Sequence, residues 1–147
     1  KVDNLQTAIK TSDFVSIHMP LNEKTKNLID AKIGILGLTF KENCSDIRNT
    51  KVIDIINQLS IYKCKLIITD EWVDKHDAKE ELNIDLVELN EITGCDVIII
   101  AVAHDVFTKF TKDQWQKMVN HDGVVIDVKA IYKKDFFKGT ELKHWRL

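Results

Sequence analysis

Short apolar runs alternate along the chain with stretches whose apolar residues recur at helical spacing. Ile33-Gly34-Ile35-Leu36-Gly37-Leu38 is too uniformly apolar for a half-exposed strand and predicts one buried on both faces of a parallel sheet. A helix is expected next, capped by Ser45 or Asp46 and running to about Tyr62. Within it Val52, Ile55, Ile56 and Leu59 share a face, while Lys51, Asp54 and Asn57 fall elsewhere. Residues 66–69 predict a second strand closed by Asp70, and the polar stretch 74–81 a solvated surface helix. A brief element over 84–87 and a short helix carrying Leu89 and Ile92 follow. The run 96–103, with Val97-Ile98-Ile99-Ile100-Ala101 at its heart, predicts a central strand. Residues 104–119 read as helical, carrying Phe107, Phe110, Trp115 and Met118; 123–128 is the next strand and 142–147 a candidate terminal one.

The β-α alternation predicts an α/β fold, a Rossmann-like doubly wound and mainly parallel sheet with helices on both faces. Residues 1–31 form a separate piece: Leu5, Ala8 and Ile9 suit an amphipathic helix, and 13–18 a strand stopped by Pro20, giving a helix-strand appendage. The absence of Gly/Ser linkers, repeats and low-complexity tracts argues against a flexible tether between this piece and residues 32–147.

Composition narrows the function classes. At 147 residues, 44% apolar and with a single proline, the chain has the size of one globular unit. A chain this long buries about 68–70% of its unfolded surface and needs no disulfide or metal to hold a core. With 21 basic and 23 acidic residues the net charge is -2, which leaves no electrostatic footprint for nucleic acid or an anionic membrane. No run is long enough to span a bilayer and no signal-peptide pattern is visible, so a cytoplasmic location is expected. Cys44, Cys64 and Cys95 fit neither a disulfide framework nor a zinc site and are expected to be reduced, buried or half-buried side chains. The histidines are scattered singly, and no metal is indicated.

In an open parallel sheet, ligands bind beyond the carboxyl ends of the strands. Here those positions hold Thr39-Phe40-Lys41, Asp70-Glu71-Trp72, His104-Asp105 and Lys129-Ala130. Gly37 would let the backbone approach a ligand, and a helix start at Asp46-Ile47-Arg48 would offer unpaired N–H groups and the positive end of a dipole. Lys41, Arg48 and Lys129 could then neutralise phosphates while Phe40 stacks a base, a set suited to a nucleoside diphosphate. Each also has a plainer reading. Lysines and arginines are mostly solvated surface charges, Phe40 suits a core, Asp70 could cap a turn as readily as bind a ribose, and His104-Asp105 resembles a helix start. Trp72, Trp115 and Trp145 look like packing anchors. Gly34-Ile35-Leu36-Gly37 is not the Gly-x-Gly-x-x-Gly fingerprint, so a standard dinucleotide site is not expected.

The string Ile35-Leu36-Gly37-Leu38-Thr39-Phe40-Lys41-Glu42-Asn43-Cys44, followed by Asp46-Ile47-Arg48-Asn49, resembles the start of the C-terminal domain of the UDP-glucose/GDP-mannose dehydrogenase family. The likeness continues through Val102-Ala103-His104 and Asp127-Val128-Lys129-Ala130-Ile131-Tyr132 to Trp145-Arg146-Leu147, over residues 32–147, and is nearest the UDP-N-acetylhexosamine dehydrogenase branch of polysaccharide precursor biosynthesis. The resemblance implies a UDP-sugar-binding domain. Phe40 and Lys41 would line the UDP-sugar pocket, Lys129 would help hold the nucleotide, and Arg48 would reach toward the cofactor or its phosphates. Full-length members use NAD to oxidise a sugar C6 alcohol to a carboxylate in two steps, through a cysteine-bound thiohemiacetal and thioester. The NAD domain and cysteine segment have no counterpart here, so no catalytic residue is assigned and no tightly bound cofactor is expected. Activity would then need a partner chain supplying those parts. The family pattern usually has proline where this chain has Ser45 and Glu71, and glycine where it has Lys63.

Residues 5–29, especially Ser12-Asp13-Phe14-Val15-Ser16-Ile17-His18-Met19-Pro20-Leu21, instead resemble part of the NAD-binding domain of D-2-hydroxyacid dehydrogenases. The chain thus reads as a junction of two dehydrogenase fragments, with a non-catalytic interaction module or an inert fusion remnant as the alternative function. Residual 2-hydroxyacid dehydrogenase activity would need an NAD phosphate loop that the sequence lacks.

Overall fold

The computed structural model describes residues 30–147. The helix and strand expected before residue 30 lie outside the described residues. Five strands, β1 (Lys32–Leu36), β2 (Lys65–Thr69), β3 (Cys95–Ile100), β4 (Val119–Asp127) and β5 (Lys143–Arg146), form one parallel sheet in the order β2-β1-β3-β4-β5. The helices are α1 (Val52–Ser60), α2 (Lys75–Leu82) and α3 (Lys112–Met118). The α/β architecture read from the alternation of apolar runs is the one observed.

Each central strand is buried on both sides because its residues feed two cores alternately. Ile33, Ile35 and Ile99 join Val52 and Ile68 in the first, against which Ile55, Ile56 and Leu59 of α1 pack. Leu36, Ile98, Ile100 and Val125 face the second, which is aromatic: Phe107, Phe110, Trp115, Tyr132 and Phe137. Trp115 is fully buried and meets the rings of Phe110, Tyr132 and Phe137 edge-on at 5.5–5.6 Å between centroids, the anchor expected of it. Trp72 and Trp145 are not anchors of this kind; they are 43% and 52% exposed.

Two helices differ from expectation. α1 starts at Val52, not at Ser45 or Asp46. The Asp46 carboxylate is engaged by the backbone and guanidinium of Arg48, Asn49 takes a left-handed φ of 59°, and Thr50 Oγ1 accepts from the Val52 N–H at the real helix start. Buried Ile47 pins the intervening loop to the first core. The segment 104–119 likewise breaks in two, a short 3-10 turn (Phe107–Lys109) and then α3, because a capping box starts a new helix. Thr111 Oγ1 accepts from the Gln114 N–H, and Gln114 Oε1 from that of Thr111. β4 begins earlier than expected, with a register irregularity between Cys95 and Val97. Among the described residues no helix is long and apolar enough to cross a membrane.

Candidate functional site

From β1 the chain crosses to β2 on one side and later enters β3 on the other, so the loops leaving β1 and β3 diverge at the carboxyl edge. This is the topological switch point, where open α/β sheets bind ligands. The two loops touch at their base. Gly37 has φ 92°, and a Cβ there would stand 2.5 Å from Val102 Cβ, so both the conformation and the space require glycine.

Three buried polar side chains close the strands at this edge. Asp70, after β2, is 6% exposed. Its Oδ2 accepts from the N–H groups of Leu38 and Thr39 at 2.6 and 3.1 Å, and its Oδ1 from that of Trp72 at 2.9 Å. His104, after β3, is fully buried with Nε2 at 3.0 Å from Asp70 Oδ2 and 3.1 Å from Thr39 Oγ1. Its Nδ1 accepts the Asn43 N–H at 2.9 Å, which puts the ring proton on Nε2. Burial alone would raise the Asp70 pKa, but hydrogen bonds from His104, Leu38 and Trp72 outweigh it and hold the carboxyl below the ordinary range. Asp127, ending β4, is also fully buried; its two oxygens accept from the Ile131 and Tyr132 N–H groups at 3.0 and 2.9 Å. His144 of β5 stops 3.6 Å short of the same carboxylate.

These buried groups set the backbone on which the expected ligand residues stand. The Phe40 N–H donates to the Asp46 carbonyl at 2.8 Å, and the Thr39 hydroxyl and Cys44 thiol both donate to the Lys41 carbonyl. So held, Phe40 is 63% exposed rather than part of a core. Lys41 and Lys129 are exposed, and neither ammonium has an ion-pair partner among the described residues. Lys129 rides the turn that Asp127 caps, which passes through a left-handed Ala130. Their strands, β1 and β4, flank β3 and so lie about 10 Å apart by strand spacing. Arg48 is placed differently. It lies in the loop before α1 and not at a helix start, and its guanidinium forks onto Asp46 at 2.8–3.0 Å, drawing that carboxyl pKa down to about 2.

Asp70 turns out to be a turn cap. Cys95 is buried, Cys44 and Cys64 are half-buried, and burial pushes the thiols of Cys64 and Cys95 up in pKa. Among the described residues no three His, Cys, Asp or Glu side chains converge for a metal. A groove of about 520 Å³ lies elsewhere, between Leu89, Ile92 and Thr93 and the α3 face bearing Gln114 and Met118. Sequence reasoning missed the structural roles of Thr39, Asn43, His104 and Asp127. The available signal was a polar residue directly after an apolar strand, present at Asp70, His104 and Asp127 alike.

The sequence pattern of the UDP-glucose/GDP-mannose dehydrogenase family, UDP binding domain, matches residues 34–134, more than half of the chain. The chain belongs to this family. The UDP-binding domain of its relatives is where the similarity lies: the chain is 39% identical to Protein CapL of Staphylococcus aureus over 80% of this chain and 27% of that protein. It is 38% identical to the UDP-N-acetyl-D-glucosamine 6-dehydrogenase of Pseudomonas aeruginosa, over 71% of this chain and 25% of that enzyme. The fold matches the NDP-N-acetyl-D-galactosaminuronic acid dehydrogenase of Methanosarcina mazei Go1 with a TM-score of 0.72 at 18% identity, covering 81% of this chain and 25% of that one. The chain therefore spans about a quarter of the length of these relatives. The family match begins at residue 34, and the D-2-hydroxyacid dehydrogenase likeness of residues 5–29 lies outside both the match and the described residues.

Proposed function

We propose that residues 32–147 are the UDP-sugar-binding domain of an NAD-dependent UDP-sugar 6-dehydrogenase of the UDP-N-acetylhexosamine or UDP-glucose type, with Phe40 and Lys41 lining the pocket and Lys129 holding the diphosphate. The observation that carries this reading is the pair of ammonium groups, without an ion-pair partner among the described residues, on the turns flanking the switch point, within a family whose matching domain binds UDP. Phosphate oxygens would take charge-assisted hydrogen bonds from both lysines. Exposed Phe40 offers a face to the uracil. Arg48 could exchange Asp46, a solvent-exposed partner, for a phosphate or cofactor group.

The NAD that the family's oxidation uses has no fitting seat at this switch point. The Leu38 and Thr39 N–H groups, which would face a pyrophosphate, already donate to the buried Asp70 carboxylate. The NAD domain and nucleophilic cysteine would come from elsewhere, and Cys44 is no candidate, since its thiol is engaged with the Lys41 carbonyl. Residues 1–31 we read as a foreign dehydrogenase segment that supplies neither. Turnover by these residues alone is not expected.

Calorimetric titration with UDP, UDP-N-acetylglucosamine and NAD tests the reading. UDP and its sugar should bind saturably and NAD should not, and Lys41→Ala and Lys129→Ala should each weaken UDP about 10- to 100-fold, the equivalent of one charge-assisted hydrogen bond. No UDP binding, or binding indifferent to both substitutions, would refute it and favour a non-catalytic interaction module.

A further inference from the structure

We infer that His104 is the positioning residue that holds the turn bearing Phe40 and Lys41 in its ligand-ready shape; the inference rests on the reading of that turn as part of the UDP-sugar site. His104 acts on the backbone and touches no ligand-facing side chain. Two hydrogen-bonded routes leave its single ring. One runs from Nδ1 to the Asn43 N–H at 2.9 Å; the other from Nε2 to Thr39 Oγ1 at 3.1 Å and on from that hydroxyl to the Lys41 carbonyl at 2.9 Å. Both end on the backbone of the same short turn, before and after Glu42.

The ring itself cannot swing. Asp70 Oδ2 holds Nε2 at 3.0 Å, Trp72 stacks on one face at 6.3 Å between centroids, and Phe107 meets the ring edge-on at 5.6 Å. Asn43 locks the far end, since its Oδ1 accepts the Asp105 N–H at 3.0 Å while its own φ is 54°. Strand β3 therefore dictates the shape of the loop that leaves β1, across the switch point. The imidazole suits this task because one rigid plane carries an acceptor and a donor pointing in different directions. No amide side chain supplies both at these positions: an asparagine oxygen can stand in for Nδ1, and a glutamine nitrogen for Nε2–H.

That difference gives the test. His104→Asn and His104→Gln, with the near-isosteric Thr39→Val as a variant that leaves the imidazole in place, are compared in the full chain by amide hydrogen exchange at Asn43 and by titration with UDP. The Asn variant should keep the Asn43 amide protected and bind UDP within about threefold of the unchanged protein. The Gln variant should lose that protection and bind about tenfold more weakly, although the two should melt at similar temperatures because each keeps one of the ring's two hydrogen-bonding positions and loses the other. Thr39→Val should keep Asn43 protected and still weaken UDP several-fold. Equal Asn43 protection in the Asn and Gln variants, or undiminished UDP affinity in His104→Gln or Thr39→Val, would overturn the inference. Failure of the unchanged protein to bind UDP would instead overturn the site reading, while the exchange contrast would still decide whether His104 holds the turn.

Discussion

Replacing Asp70 by asparagine or alanine separates the two things its carboxylate does. It satisfies four donors, the N–H groups of Leu38, Thr39 and Trp72 and the His104 ring, and it holds a negative charge among them. In Asp70→Asn the amide oxygen can take the place of Oδ2 and keep three of these bonds, leaving the amide NH2 against the Trp72 N–H. One lost bond plus weaker, uncharged acceptance at the others amounts to about 2–3 kcal/mol. In Asp70→Ala the N–H groups of Leu38, Thr39 and Trp72 lose their acceptor and the His104 ring keeps only Thr39 Oγ1; the two buried amides alone cost about 1–3 kcal/mol each, before the other two losses are added. That approaches the whole stability of a domain, about 5–15 kcal/mol, so the alanine variant is expected to be largely unfolded or molten at room temperature. Urea denaturation followed by tryptophan fluorescence measures both. The pH dependence has a definite sign. The folded pKa of Asp70 lies below its unfolded value of about 3.9, so its ionised form contributes stability that is complete above that value and lost as pH falls through the lower, folded pKa. Asp46 and Asp96, also lowered, are common to parent and variant and cancel. The gap between parent and Asp70→Asn should thus stay constant above about pH 5 and narrow as pH falls below the unfolded value of about 3.9. An asparagine variant within about 0.5 kcal/mol of the parent, or a gap that widens on acidification, would refute the account of Asp70 as an ionised cap.

Other substitutions probe separate parts of the same edge. Gly37→Ala forces a Cβ onto Val102 at a φ of 92° and should cost about 2–4 kcal/mol in denaturant titration; a neutral result would mean that the β1 and β3 loops can part without penalty. Lys63 holds a left-handed φ of 56° just after α1, so Lys63→Gly should stabilise by about 0.5 kcal/mol after the entropic cost of glycine, and Lys63→Ala should not. Phe40→Ala removes an exposed ring, so its melting temperature should hardly move while UDP affinity falls about tenfold, the low end of an aromatic stacking contribution; a large loss of stability would return Phe40 to the core.

The elements that apolar patterning made legible are those that packing alone decides. The run around Ile98, Ile99 and Ile100 could only be a central strand, and it is buried as one. The start of α1 was misplaced because Ser45 and Asp46 look like caps in isolation, and only the Arg48 fork on Asp46 and the left-handed Asn49 reveal a loop. Phe40 reads from its place beyond β1 either as a base-stacking candidate or, more plainly, as a core residue, and only its 63% exposure decides against the core. His104 was the least legible, since its partners Asp70, Thr39 and Asn43 come from other strands' loops, and such partners at long sequence separation leave no periodic trace.

The placement of charge at this edge follows one rule. The buried polar groups, Asp70, His104 and Asp127, spend their hydrogen bonds chiefly on backbone N–H groups of the turns, while the exposed cations, Lys41 and Lys129, stand on those turns without an ion-pair partner among the described residues. A loop held in this way has already lost the backbone freedom that a ligand would otherwise have to remove, so more of each phosphate contact appears as affinity. The cost is borne in folding, where four donors converge on one carboxylate and Asn43, Asn49 and Ala130 accept positive φ.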